Sequence, residues 1–188
     1  WRDPRQMALN LSMLRNAMDP LLAAAPGFRH VTLLQGTKAY GPPRMAIPIP
    51  ARERNPRAEH PVFYWPQEDY LREKQRGAAW HWTVLRPQIV LGDALRSDIS
   101  VVPAIGVYAA LLKAAGEPLY FPGGSSCISE AVDGRLLARA CAWAAESAQC
   151  HNEIFNITNG DVFEWRNVWP TIAACFGMQA GGDRPLSL

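Results

Sequence analysis

Met7, Leu11, Leu14, Met18 and Leu21 recur every three or four positions, so residues 5 to 24 predict an amphipathic helix, kinked near Pro20 and ended by Pro26-Gly27. Val31 to Leu34 is a short apolar run of the length of a buried strand. Residues 41 to 61, GPPRMAIPIPARERNPRAEHP, carry too many prolines for a helix or a central strand. They predict an extended surface loop whose arginines form a solvated face. Residues 62 to 76, VFYWPQEDYLREKQR, place acids early and bases late, as a helix dipole favours, with Pro66 confined to the first turn. Trp82 to Leu91 is a second strand, interrupted at Pro87. Strand, helix, strand predicts parallel pairing in an α/β layer.

The second half continues the alternation. Ile99 to Ala115 predicts a buried helix, and Leu119 to Phe121 a short strand before a Gly123-Gly124 turn. Residues 133 to 146 predict a helix with Val132, Leu136, Leu137, Ala140 and either Trp143 or Ala144 facing inward. Ile154 to Ile157 is a strand closed by Asn159-Gly160, where Asn159-Gly160-Asp161 reads as a turn rather than a ligand set. Val168, Trp169, Ile172, Ala173 and Phe176 mark a last helix capped by Gly177. There is no internal repeat.

Composition narrows the function classes. A chain of 188 residues with 48% hydrophobic content builds a real core of about one domain. A net charge of +2 without a basic run gives no reason to expect a nucleic-acid partner, and the seven tryptophans read as core and pocket walls. Cys127, Cys141, Cys150 and Cys175 lie far apart, outside zinc or redox spacing, and read as buried reduced thiols. The apolar stretch Ile99 to Leu112 is too short to span a bilayer, and no signal peptide is visible. A cytoplasmic protein with no membrane partner and no metal is the expectation. Glu130 and Asp133 read as helix-capping groups, and His30, His60, His81 and His151 have no partner at recognisable spacing. The chain opens on Trp1 and closes on Pro185-Leu-Ser-Leu188 without a recognisable final element, so it reads as a piece of something longer.

One choice of residue points to chemistry. Of 19 basic residues only Lys38, Lys74 and Lys113 are lysines. Lys38 stands just beyond the strand 31–34, and Tyr64 begins the following helix. In a doubly wound sheet the carboxyl ends of strands gather at the ligand crevice. If the two meet, the ammonium would lower the tyrosine's pKa and strengthen it as a donor to a carbonyl oxygen gaining charge. A surface lysine and a tyrosine packed on the sheet are the alternative. Arg86 pairing with a carboxylate, and Pro87 merely stopping a strand, are likewise open.

Five segments in order carry a resemblance: LLQGTKAYG (33–41), VFYWPQEDY (62–70), RPQIVLG (86–92), VYAALLK (107–113) and FNITNGDVFEWRNVW (155–169). RPQIVLG resembles the RPxxVxG segment of extended short-chain dehydrogenases/reductases, whose usual tyrosine and lysine sit four apart on one helix. Here Glu68 stands four beyond Tyr64. The set as a whole resembles the progesterone 5-beta-reductase/iridoid synthase-like branch, which carries its lysine in a strand-end motif instead. The departures are Val62 for the family's asparagine, Pro66, and Ser97 to Ser100.

The resemblance implies an α/β fold with a partial doubly wound, Rossmann-like parallel sheet and a small C-terminal substrate-binding portion. The implied division is residues 1–95 for the cofactor-binding part with the catalytic motifs, and 96–188 for the substrate part, with one strand and helix returning to the main sheet. It implies NADPH as the cofactor, NADH as the alternative, and reduction of the carbon-carbon double bond of an enone or enal, a small hydrophobic carbonyl compound. Tyr64 would stabilise the enolate, and Lys38 would hold the nicotinamide ribose and tune Tyr64. Gly36, Pro87, Gln88 and Val90 would line the nicotinamide pocket, and Phe63, Trp65, Ile105 and Tyr108 the substrate wall. A homodimer is among the open oligomeric states. No glycine-rich turn follows a strand, so the chain alone is expected to bind the dinucleotide poorly and to leave sheet edges uncovered. A sugar-nucleotide epimerase or dehydratase of the same superfamily, or a non-catalytic binding protein, are the rival readings.

Overall fold

A computed structural model describes residues 3–42, 47, 49–92, 100–124 and 126–186. The first helix, α1 (Pro4–Ala24), starts where Asp3 accepts the Arg5 N–H at 2.8 Å and contains Pro20 in its last turns. Its inward stripe is Leu11, Leu14, Met18 and Leu22. Leu21, expected on that stripe, is exposed, because four steps from Met18 land nearer the helical repeat than three.

The chain divides into two units, Trp1–Pro87 with Leu137–Ile157, and Gln88–Leu136 with Thr158–Leu188. The first break thus falls at 87/88, and a helix and a strand from the second half belong to the first unit. In that unit β1 (His30–Leu34), β2 (His81–Pro87) and β6 (Glu153–Ile157) form a parallel sheet in the order β1-β2-β6. Val31 is in register with Trp82, and Leu33 with Val84, which pairs with Ile154. These residues share one core cluster with Met18 of α1 and with Tyr70 and Leu71 of α2 (Tyr64–Gln75). The alternate positions Leu85 and Phe155 are paired on the opposite face, where Phe155 meets Trp143 of α4 (Gly134–Glu146) edge-on at 5.8 Å. Helices on both faces of a parallel sheet make this a Rossmann-like α/β layer. β2 is buried from Trp82 to Pro87, as a central strand requires.

Pro66 lies in the first turn of α2, where its missing N–H costs no helical bond. The described part of the 41–61 segment contains no helix or strand. Its arginines are not all solvated: Arg57 pairs with Glu68 at 2.9 Å and Asp69 at 2.8 Å.

The second unit holds β3 (Ile89–Leu91) parallel to β5 (Ser129–Asp133), with β7 (Val162–Phe163) antiparallel to β5. A second pair, β4 (Leu119–Phe121) and β8 (Ala180–Asp183), is parallel. Strands β5, β7 and β8 were not legible as apolar runs. Helices α3 (Val101–Ala114) and α5 (Trp165–Cys175) enclose a core of Ala109, Leu119, Phe121, Trp169 and Ala173. The expected burial of α3 does not hold: Ala109 is buried, but Val107 and Leu111 are 61% and 66% exposed. Its expected start at Ile99, and the Ser97 to Ile99 departure, lie outside the described residues.

Asp133 caps α4, accepting from the N–H groups of Arg135 at 2.9 Å and Leu136 at 3.2 Å. Glu130 does not cap; it lies within β5. On α4, Leu137 and Ala144 are buried while Trp143 is half exposed. Gly160 and Gly177 adopt the positive φ their turns require, 97° and 63°. All four cysteines are free, but only Cys150 is fully buried; Cys127 and Cys175 are exposed. No helix of the described residues is long and apolar enough to cross a membrane, and these residues contain no cluster of three or more His, Cys, Asp or Glu placed to hold a metal ion.

Candidate active site

Gly36 ends the run out of β1 and caps a short 3-10 turn, Thr37–Ala39, that carries Lys38. A methyl group added at Gly36 would lie 3.2 Å from the Pro87 carbonyl oxygen and 3.4 Å from the Tyr64 hydroxyl. The Lys38 turn, the end of β2 and the phenol of Tyr64 therefore meet at the carboxyl end of the sheet. Tyr64 is the first residue of α2 and is buried, with Phe63 edge-on at 4.7 Å. Ala39, Val62 and Tyr64 form a small core with Phe63 and Trp65 around it.

Burial pushes the Tyr64 phenol above its ordinary pKa, and the Arg86 guanidinium opposes that rise. The expected lowering by Lys38 is not the net result: desolvation of the buried ring dominates, and the opposing cation is Arg86.

Behind this point lies a polar network that the pattern of residues barely announced. Arg86 Nη2 donates to Glu68 Oε1 at 2.9 Å, and its Nε donates to Gln35 Oε1 at 3.1 Å. The Glu68 and Arg86 side chains are 2% and 5% exposed. The second Glu68 oxygen accepts from Arg57 at 2.9 Å. The Arg86 guanidinium also lies over the Tyr40 ring at 5.1 Å, and Tyr40 donates to Asn156 Oδ1 at 2.6 Å. Asn156 in turn donates its side-chain amide to the Ala51 carbonyl, and its backbone N–H to Glu53, at 2.9 and 2.8 Å. Arg86 thus pairs with a carboxylate, the plainer of its two readings. Gln35, Tyr40 and Arg57 were missed; their signal was only that they flank Lys38 or enrich the loop in arginine.

The remaining sequence candidates divide between the units. Trp65 donates its indole N–H to the His60 carbonyl at 3.3 Å and lies under Arg57. Gln88 accepts the Glu130 N–H through its side-chain oxygen at 2.5 Å, and Val90 is 42% exposed on β3. Ile105 lines a cavity of about 370 Å³ in the second unit, together with Val101, Phe121, Cys127, Trp165 and Trp169. Tyr108 is not among the residues lining that cavity. It packs on the second core 6.5 Å from the Trp169 ring, with its hydroxyl buried and, among the described residues, without a hydrogen-bond partner. Two charged residues, Glu164 and Arg166, stand among its otherwise mostly apolar lining. Glu164 accepts from Ser126 at 2.8 Å, and Arg166 pairs with Asp183 and stacks 4.7 Å over Phe121. Such a cavity suits a neutral, apolar guest.

Gly36 presents side-chain-free backbone beside the Tyr64 hydroxyl, the close approach that the nicotinamide end of a dinucleotide requires. The described residues contain no strand, glycine-rich turn and helix in succession to take its pyrophosphate.

A family model described as a PRISE-like Rossmann-fold domain matches residues 2–185. An (S)-8-oxocitronellyl enol synthase of Camptotheca acuminata is 35% identical over 194 residues, covering 96% of this chain and 50% of the relative. A 3-oxo-Delta(4,5)-steroid 5-beta-reductase of Arabidopsis thaliana is 36% identical over 182 residues, covering 92% and 47%. The chain spans about half the length of the curated relatives it matches. Among solved structures, RMD from Pseudomonas aeruginosa complexed with NADPH superposes with a TM-score of 0.74 at 19% identity, covering 97% of this chain and 63% of that one.

Proposed function

The chain belongs to the PRISE-like Rossmann-fold family, and from that premise we propose that it carries the catalytic residues for NADPH-dependent reduction of a carbon-carbon double bond conjugated to a carbonyl. The observation that carries this reading is the meeting of the Tyr64 hydroxyl with Gly36 of the Lys38 turn at the carboxyl end of the sheet. The name of the Arabidopsis relative supports the substrate class, since a 3-oxo-Δ4,5 steroid is itself an enone reduced at its β carbon.

When bound, the cofactor supplies hydride to the β carbon of the substrate. The rest is the work of this chain's side chains. Tyr64 Oη donates a hydrogen bond to the substrate carbonyl oxygen and stabilises the negative charge that collects there as the enolate forms. The phenol, whose pKa burial raises, is protonated at neutral pH, as a donor must be. Lys38 holds the nicotinamide ribose and adds positive charge to the same end of the sheet. Gly36 leaves the room that a side chain would fill.

In the full-length protein, Tyr64→Phe and Lys38→Ala should each slow NADPH-dependent reduction of a simple enone by about 10² or more, the scale for losing one oxyanion donor. Steady-state consumption of NADPH measures this. Wild-type turnover in both variants would remove the assignment, and loss of nucleotide-sugar epimerisation instead would favour an epimerase. Glu68 speaks against that second reading, because the position four beyond Tyr64 holds a carboxylate committed to two guanidinium groups.

A further inference from the structure

We propose that Arg86, held by Glu68, is a positioning residue that clamps the turn carrying Lys38 to the helix carrying Tyr64. The inference rests on the catalytic reading of those two residues and adds a component to it.

Glu68 lies one helical turn beyond Tyr64, so the two side chains share a face of α2. Arg86 reaches that face with one arm of its guanidinium, through Nη2 to Glu68. With Nε it holds Gln35, and its plane covers the ring of Tyr40. Gln35 and Tyr40 bracket residues 36–39, and the Tyr40 N–H closes the Lys38 turn on the Thr37 carbonyl at 2.9 Å. A single buried cation therefore grips the helix on one side and both ends of the turn on the other. Gln35 adds a weak strut of its own, from Nε2 to the Tyr64 carbonyl at 3.5 Å.

The choice of residues fits a positioning task better than a stabilising one. A lysine would present one point charge, whereas the planar guanidinium holds several partners in fixed directions. A buried ion pair is commonly no more stabilising than apolar side chains of similar volume. Keeping it at the junction of the two catalytic elements serves geometry and charge. Arg57 holds the other Glu68 oxygen and fixes the carboxylate's direction. Because the guanidinium opposes the burial that raises the phenol, its removal should move the Tyr64 titration further up.

The test uses the full-length protein with the paired substitution Glu68→Met and Arg86→Met, which removes both charges together. The pair should stay folded by thermal melting, with kcat lowered by about tenfold or more through misplacement of the catalytic groups. The tyrosinate titration, followed by ultraviolet difference spectroscopy with Tyr64→Phe as reference, should shift to higher pH, and the basic limb of kcat/KM should follow it. A folded pair with wild-type kcat overturns the proposal. So does a lowered kcat with an unmoved titration, which would mean that only packing was disturbed. If the Met pair does not fold, Arg86→Lys decides, since it keeps the charge and loses the fork: a lowered kcat with the titration in place supports the clamp, and wild-type kcat overturns it. Wild-type turnover in Tyr64→Phe itself would overturn the catalytic reading and the clamp with it, whereas a slow Tyr64→Phe beside an unaffected Arg86 series would overturn the clamp alone.

Discussion

Position 36 shows how much a single atom decides. Glycine there lets the backbone of the Lys38 turn approach both the Pro87 carbonyl and the Tyr64 hydroxyl. Gly36→Ala would place a methyl 3.2 Å from the Pro87 carbonyl and in contact with the Tyr64 hydroxyl at 3.4 Å, so the turn carrying Lys38 or the end of β2 would have to give way by a few tenths of an ångström. Turnover should fall about tenfold, since small misplacements of a catalytic group cost rate steeply. Circular dichroism should meanwhile show an intact fold. Tyr64 and Lys38 could be singled out as an ammonium beyond a strand end and a phenol at a helix start. Arg86 could not be placed so easily, because its partners sit 18 and 51 positions away along the chain.

The elements that hold this point in place are α2 and β2. Leu71 of α2 is fully buried in the core that joins Met18, Trp82 and Val84. Leu71→Ala should cost about 2–5 kcal/mol by denaturant melts, the range for emptying a large aliphatic site. At the opposite, amino-terminal ends of the strands, His30 and His81 are paired in register, and His81 stacks on His151 at 3.7 Å. Burial, helped by the charge of neighbouring imidazoles, lowers the pKa of His30 and His81 below the ordinary 6.5. The folded state then binds fewer protons than the unfolded chain. Stability from these groups is intact above pH 6.5 and declines as the pH falls through the lowered values. Thermal melts should show a midpoint falling below that pH, with a shallower fall in His81→Gln. A midpoint independent of pH between neutrality and mild acid would refute this. The histidines had no sequence spacing to link them, because their nearness comes from strand register.

At the scale of the molecule, two units carry two separate cores, one built on a parallel sheet and one on α3, α5 and short strands. Among the described residues neither unit offers a glycine-rich turn between strand and helix. The 188-residue chain by itself should therefore bind NADPH weakly, and calorimetric titration showing tight binding would contradict that account. The sequence by itself determined the alternation of strands and helices, the place of Tyr64 at a helix start and of Lys38 beyond a strand end, and the family. Each follows from local rules: apolar periodicity, proline and glycine stops, and the order of short motifs. Only the tertiary structure decided that residues 137–157 return to the first unit, that α3 leaves much of its apolar surface exposed, and that Arg86 faces Glu68 rather than solvent. The physical reason is separation along the chain: these outcomes depend on which distant segments share a core, and a run of neighbouring residues carries no record of that choice.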